Sequence, residues 1–213
     1  MKNYSKLKIS LIPANYFRNL KGKILDIGCN ECILPEKLNL NKKDYFGLDI
    51  DDNALSIAQK KGFNVKKVNI DKENIPLPSK SVNSFILLDI LEHLQDPLTA
   101  IKKIKKVLKP DAIGIISLPN DLNLANIFKV LLLGRPLLIR EKMWDPHSHL
   151  HFPSLYESKK LINKNFNILS INYIPSNFTI PLFPIRIKQK LASLFPRFFA
   201  QNIVFLVKNK NSK

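Results

Sequence analysis

Short apolar runs alternate with amphipathic stretches along most of the chain. Residues 23–27, 45–50, 65–70, 84–88 and 112–118 are runs of strand length, mostly apolar except 65–70, where Val65, Val68 and Ile70 alternate with polar residues. Residues 84–88 are apolar nearly throughout, the pattern of a parallel strand covered on both faces. Between these runs the apolar positions recur at helical spacing. The clearest case is 96–109, where Leu98, Ile101, Ile104 and Leu108 form one stripe and Lys102, Lys103, Lys105, Lys106 and Lys109 lie elsewhere, with Pro110 following. Residues 33–40, 52–61 and 154–163 predict further helices, the second with an acidic start and Gly62 at its end. Residues 166–174 and 201–208 predict a sixth and a seventh strand, the last alternating enough to run antiparallel. Alternating strands and helices predict an α/β fold, a three-layer sandwich around a seven-stranded, mostly parallel sheet whose last strand is antiparallel.

Three segments fall outside this minimal pattern. Residues 1–22 read as a polar helical cover for a ligand site. Residues 121–152 begin with a Leu-rich stretch (Leu122, Leu124, Ile127, Phe128, Leu131, Leu132, Leu133) and predict an insertion or lid. Residues 174–200, rich in Pro and Phe with a basic helix near 186–195, predict a helical insertion before the last strand. With no linker or repeat, 1–213 reads as one domain.

The chemistry concentrates at residues 24–32, Ile-Leu-Asp-Ile-Gly-Cys-Asn-Glu-Cys. A strand runs into a tight turn at Gly28 and then into a helix. Asp26 precedes the glycine by two places, and Asp49 ends the second apolar run. A glycine lets the backbone approach a ligand, and a carboxylate at the end of the next strand can accept both hydroxyls of a ribose. The pattern is that of a nucleoside-type cofactor laid across the carboxyl ends of neighbouring parallel strands. The nicotinamide dinucleotide fingerprint G-x-G-x-x-G would need glycine at 30 and 33, where the chain has Asn30 and Ile33.

Asp26-Ile-Gly28-Cys-Asn30-Glu-Cys32 resembles the first motif, acid-x-Gly-x-Gly-x-Gly, of the class I S-adenosylmethionine-dependent methyltransferases, small-molecule type 11 in particular. Asn30 and Cys32 replace its second and third glycines. The likeness continues in Asn69-Ile-Asp71, in Leu88-Asp89-Ile-Leu-Glu92-His93 after the fourth apolar run, in Val107-Leu-Lys-Pro110 and in the stretch 145–152. The resemblance implies a Rossmann-like sheet and S-adenosylmethionine as cofactor. It implies Asp49 on the ribose, Ile50 on the adenine face and Asp71 on the adenine amine. Asp26 and the turn at Gly28, Cys29 and Asn30 would hold the methionine end, with Leu88 and Asp89 along the cofactor edge. A hydroxyl acceptor benefits from a base near neutral pH, and His149 and His93 are the candidates.

Composition changes this picture in two places. The net charge is +17, and of 34 basic residues only five are arginine. Such a surplus suits solvated surface, and it keeps open an alternative in which the chain binds or modifies nucleic acid. Cys29 and Cys32 are the only cysteines, and His147, His149 and His151 alternate. A Cys–His metal site is a possible use of them, but no metal is expected, since both cysteines already have a place in the turn. No apolar run reaches the ~20 residues that span a bilayer, and the first residues lack a signal-peptide core, so a cytoplasmic chain is expected. The expected acceptor is a small or lipid-linked metabolite, a sugar hydroxyl for example, with peripheral membrane contact through the apolar insertions. A further alternative is a domain that binds the cofactor without catalysis.

Overall fold

The computed structural model describes residues 10–134, 149–175 and 183–210. In chain order the elements are α1 (Ala14–Arg18), β1 (Ile24–Ile27), α2 (Ile33–Lys37), β2 (Tyr45–Asp49), α3 (Asp52–Lys60), β3 (Val65–Lys67) and β4 (Val82–Leu88). A single 3-10 turn, Leu91–His93, leads to α4 (Pro97–Val107), β5 (Leu108–Pro119), α5 (Leu124–Leu133), α6 (Leu155–Asn165) and β6 (Phe166–Pro175). The chain closes with α7 (Ile185–Leu194), α8 (Pro196–Phe199) and β7 (Ala200–Asn209).

The seven strands form one sheet in the order β3-β2-β1-β4-β5-β7-β6. β1 pairs in parallel with β2 on one side and β4 on the other. β7 runs antiparallel to both β5 and β6. The strand order therefore reverses direction between β1 and β4, and the crevice outside their carboxyl ends is where open α/β sheets take ligands.

Alternate residues of each strand enter different cores. Leu25, Ile27, Phe85 and Leu87 join Ile101 and Ile104 of α4 and Ile162 of α6 on one face. Ile24, Tyr45 and Ile86 join Tyr16 and Phe17 of α1, Leu34 of α2 and Leu55 of α3 on the other. That is the three-layer arrangement expected from the pattern.

Boundaries moved where tertiary pairing overrode local pattern. The stripe ending in Leu108 predicts helix to 109, but Leu108 pairs with Val82 and starts β5. The register then slips before Ser84 meets Ile113, so a bulge absorbs Pro110, which has no N–H for the ladder. β3 stops at Lys67, short of 70, because Lys72 and Glu73 donate to the Asn69 carbonyl and turn the chain. Of the cover expected at 1–22, the described part holds only the five-residue α1, docked by Tyr16, whose hydroxyl donates to Ser170 Oγ at 2.8 Å. The insertion contributes α5, capped by Asn123 accepting from Asn126 N and closed by left-handed Gly134. His147 and residues 135–148 of the expected insertion lie outside the described residues. Among the described residues no helix is long and apolar enough to cross a membrane.

Candidate active site

The turn between β1 and α2 is held by one acceptor. The amides of Gly28 and Cys29 both donate to the Leu48 carbonyl, at 2.8 and 3.1 Å. Gly28 has φ +77°, and a Cβ there would stand 2.0 Å from Ile90 Cδ1, so only glycine fits. Asn30 and Cys32 also carry positive φ, 48° and 54°. The family's glycine positions thus keep their backbone shape while losing their glycines. Asn enters this region readily; for cysteine it costs roughly 1–2 kcal/mol. The Cys32 side chain is fully buried, with Sγ 3.5 Å from the Tyr45 hydroxyl. It fills core beneath the turn and leaves the crevice open.

Asp49 stands at the mouth of the crevice. Its Oδ2 accepts from Asn30 N at 2.8 Å, and its Oδ1 accepts from Ile50 N and Asp51 N at 2.7 and 3.0 Å. The carboxylate therefore ties the end of β2 to the Gly28 turn. Oδ2 retains capacity for a further donor, since a carboxylate oxygen accepts about two. Beside it Ile50 is 48% exposed, an apolar surface open to a ligand face. Asp71, expected on an adenine amine, has a structural task as well: its Oδ1 accepts from Gln95 N at 3.0 Å and Asp96 N at 3.4 Å, which anchors the loop before α4.

Asp26 lies under the turn. It is 4% exposed and its Oδ2 accepts from the Tyr45 hydroxyl at 2.7 Å. Burial pushes its pKa up to about 7, against the opposing Tyr45 hydrogen bond and with a smaller push from the Asp49 charge. The side chain supports the turn from the core, whereas the motif alone suggested direct contact with the ligand.

The fourth strand ends in Leu88 and in Asp89, which has φ 55° and whose Oδ1 accepts from Ser117 Oγ at 2.8 Å. After it the 3-10 turn carries Glu92 and His93. A strap from the distant insertion lies on this turn: Leu150 N and His151 N both donate to the Glu92 carbonyl, at 2.9 and 3.0 Å, and His151 Nε2 contacts the Leu94 carbonyl at 2.9 Å. The two candidate bases are thereby brought together, the His93 and His149 rings meeting edge to face at 4.6 Å. The Cys–His metal set is not assembled among the described residues. Cys29 and Cys32 lie in the core as free thiols, and His149 packs on His93.

Tyr45, Ser117 and Asp121 were not singled out by sequence. Asp121 follows β5, is 7% exposed, and neither carboxylate oxygen has a hydrogen-bond partner among the described residues. Burial pushes its pKa up to about 7. An acid raised in the folded state binds a proton there between the unfolded value, 3.8, and about 7, while the unfolded chain does not. Stability is therefore full below pH 4 and falls as pH rises towards 7. Asp121→Asn does not titrate, so its melting temperature should gain on the wild type between pH 5 and 8. A shift of this size has a ceiling of about 4 kcal/mol. Parallel pH profiles of the two proteins would contradict the assignment.

The basic surplus is partly localised, with Lys80, Lys102, Lys105, Lys106 and Lys210 lining a cavity at the amino ends of β4 and β5. That is the opposite end of the strands from the crevice. The crevice itself combines a glycine-only turn, a ribose-type carboxylate and an exposed Ile50, and these residues fit a nucleoside cofactor.

A family model described as "Methyltransferase domain" matches residues 25–116, the span from β1 to β5. The chain is 25% identical over 189 residues to the ubiquinone biosynthesis O-methyltransferase of Aliivibrio fischeri, covering 82% of this chain and 80% of that protein. The corresponding Dinoroseobacter shibae enzyme is 28% identical over 120 residues, with 51% of this chain and 48% of that protein aligned, so several such matches span about half of the relative's length. A crystal structure of an S-adenosylmethionine-dependent methyltransferase from Archaeoglobus fulgidus superposes with a TM-score of 0.66 at 19% identity, covering 98% of this chain and 95% of that one, a likeness of fold. The motif order, the sheet order and the domain match over residues 25–116 agree in likening the chain to the class I S-adenosylmethionine-dependent methyltransferases.

Proposed function

We propose that the protein transfers a methyl group from S-adenosylmethionine to a hydroxyl of a small molecule. The observation that carries this reading is the juxtaposition at one crevice of the Asp49–Gly28 turn with the His93–His149 pair. The cofactor, when bound, supplies a methyl group on a sulfonium that is already a good leaving group. What remains for the chain is to orient and to manage a proton. Asp49 accepts from the ribose, and Ile50 covers one face of the adenine. Asp71 offers its second oxygen to the adenine amine. The turn at Gly28, Cys29 and Asn30, supported from below by Asp26, faces the methionine end, with Leu88 and Asp89 alongside. His149 or His93 accepts the hydroxyl proton, a role suited to imidazole near neutral pH.

The A. fischeri and D. shibae relatives are named as O-methyltransferases, which supports oxygen as the acceptor atom. The exposed apolar residues of α5, Phe128, Leu131 and Leu132, support a lipid-linked acceptor met at a membrane surface, with 121–152 acting as lid within one domain. A sugar hydroxyl fits the same reading.

The test is release of S-adenosylhomocysteine on incubation with a panel of free sugars, lipid-linked sugars and phenols. Turnover with a hydroxyl compound is expected, falling by about 100-fold in His149→Gln with cofactor affinity kept. Cofactor binding without turnover on any of the panel would favour a non-catalytic domain.

A further inference from the structure

Glu92, His93 and His149 each present one ligand-type atom, and these three atoms lie within 4.8 Å of one another. Glu92 is 1% exposed, while both histidines are partly accessible. We propose that these three side chains bind one divalent transition-metal ion, and that the ion receives the acceptor's hydroxyl oxygen. The role assigned to the acceptor rests on the methyltransferase reading; the ion site itself does not.

The donor chemistry suits such an ion. Two imidazoles and one carboxylate are ligands of zinc, manganese and iron rather than of calcium or magnesium. Three protein ligands leave coordination positions open, as in catalytic metal sites. Bonds of ~2.1 Å set ligand atoms roughly 3–4 Å apart, so these three need to close by at most roughly 1–2 Å. A carboxylate as buried as Glu92 calls for positive charge or donors around it. What the fold brings to it is a pair of imidazoles from segments 56 residues apart.

The frame is prepared in advance. Glu92 and His93 share one 3-10 turn directly after β4. The strap that carries His149 is tied to the same turn by the two amide bonds to the Glu92 carbonyl and by His151 on the Leu94 carbonyl. Three hydrogen bonds thus hold the two ligand-bearing segments in one register. Phe152, with its ring centroid 6.4 Å from that of His149, walls the other side. The cluster stands at the carboxyl end of β4, next to the strand-order reversal at β1, and so borders the cofactor crevice. An ion there would polarise a bound hydroxyl and make its proton easier to lose to solvent, without contact to the sulfonium; with the ion bound, His93 and His149 act as ligands in place of the base role given to them above.

The test uses the full-length protein, freed of metal by chelator dialysis and titrated with Zn²⁺ by calorimetry. Co²⁺ serves as a visible-absorption probe of the ligand set. One ion per chain is expected, with cobalt bands of nitrogen and oxygen ligation and no thiolate charge-transfer band. Glu92→Gln, which keeps the buried shape, and His149→Ala should each weaken binding by more than ~100-fold. Lys106→Ala, at the opposite end of the strands, leaves the three ligands and their frame in place and should bind as the wild type does. Absence of Zn²⁺ binding by the wild type, or binding that survives both ligand substitutions, overturns the proposal. S-adenosylhomocysteine is titrated into the same samples. Its binding without zinc binding retires the ion site and leaves the methyltransferase reading; zinc binding without it does the reverse.

Discussion

Asp49→Ala is expected to abolish measurable binding of S-adenosylmethionine and of S-adenosylhomocysteine to a protein that stays folded. Two losses add at this position. The ribose hydroxyls lose an ionised acceptor, and hydrogen bonds to charged groups contribute about 1.5–3 kcal/mol each. The same carboxylate also holds Asn30 N from the Gly28 turn and the amides of Ile50 and Asp51. Its removal unties the turn from β2, so the amides facing the methionine end lose their preset geometry. Together these losses correspond to at least ~1000-fold in affinity, since each 1.4 kcal/mol is tenfold. Asp49→Asn keeps the size but turns one acceptor into a donor against the backbone amides, and should fall between the two. Calorimetric titration reads both variants. An Asp49→Ala affinity within a few-fold of the wild type would place the cofactor elsewhere.

Gly114→Val is expected to be the most destabilising single change in the sheet. Gly114 lies in register with Phe85 across β5 and β4. A Cβ there would stand 2.1, 2.3 and 2.4 Å from Phe85 Cζ, Cε1 and Cε2. The ring has no room to retreat: Phe85 is fully buried and packs on Phe166 at a centroid distance of 5.4 Å. Overpacking of a filled core costs typically 1–3 kcal/mol and occasionally more. Here backbone must shift, so about 3 kcal/mol or more is expected. For a chain of this length that is a fall in melting temperature of roughly 6–12 °C. Phe85→Leu in the same background frees the space and should recover part of the loss. A Gly114→Val protein melting within 2 °C of the wild type (~1 kcal/mol or less) would show that β4 and β5 are packed differently.

Much of the crevice's backbone geometry was legible because its signals are local. Gly28 occupies a turn that only glycine fits, and Asp49 ends a strand that its own apolar run announces. Ile50 is exposed next to it. Asp71 was legible only in part, since one of its oxygens serves a loop near Asp96 that nothing in its own neighbourhood announces. Cys32 reads from sequence only as a replacement of the third glycine of the motif. In three dimensions the left-handed backbone at that position turns it inward, against Tyr45.

Short-range order was therefore in the sequence: strands and helices, their alternation, the parallel character of β4, the antiparallel last strand and the turn after β1. Such features depend on the period of apolar residues and on a few backbone-limited positions, both of which are written within a window of ten residues or so. The tertiary structure alone decided which distant groups meet. It put Leu108 into a strand by pairing it with Val82, sank Asp26 against Tyr45, and buried Asp121 without a hydrogen-bond partner among the described residues. It also laid the His149 strap on the turn that carries Glu92 and His93. Burial and meeting are properties of the packed whole, where the free energy of closing long loops is set against surface removed from water, and no local pattern records that balance.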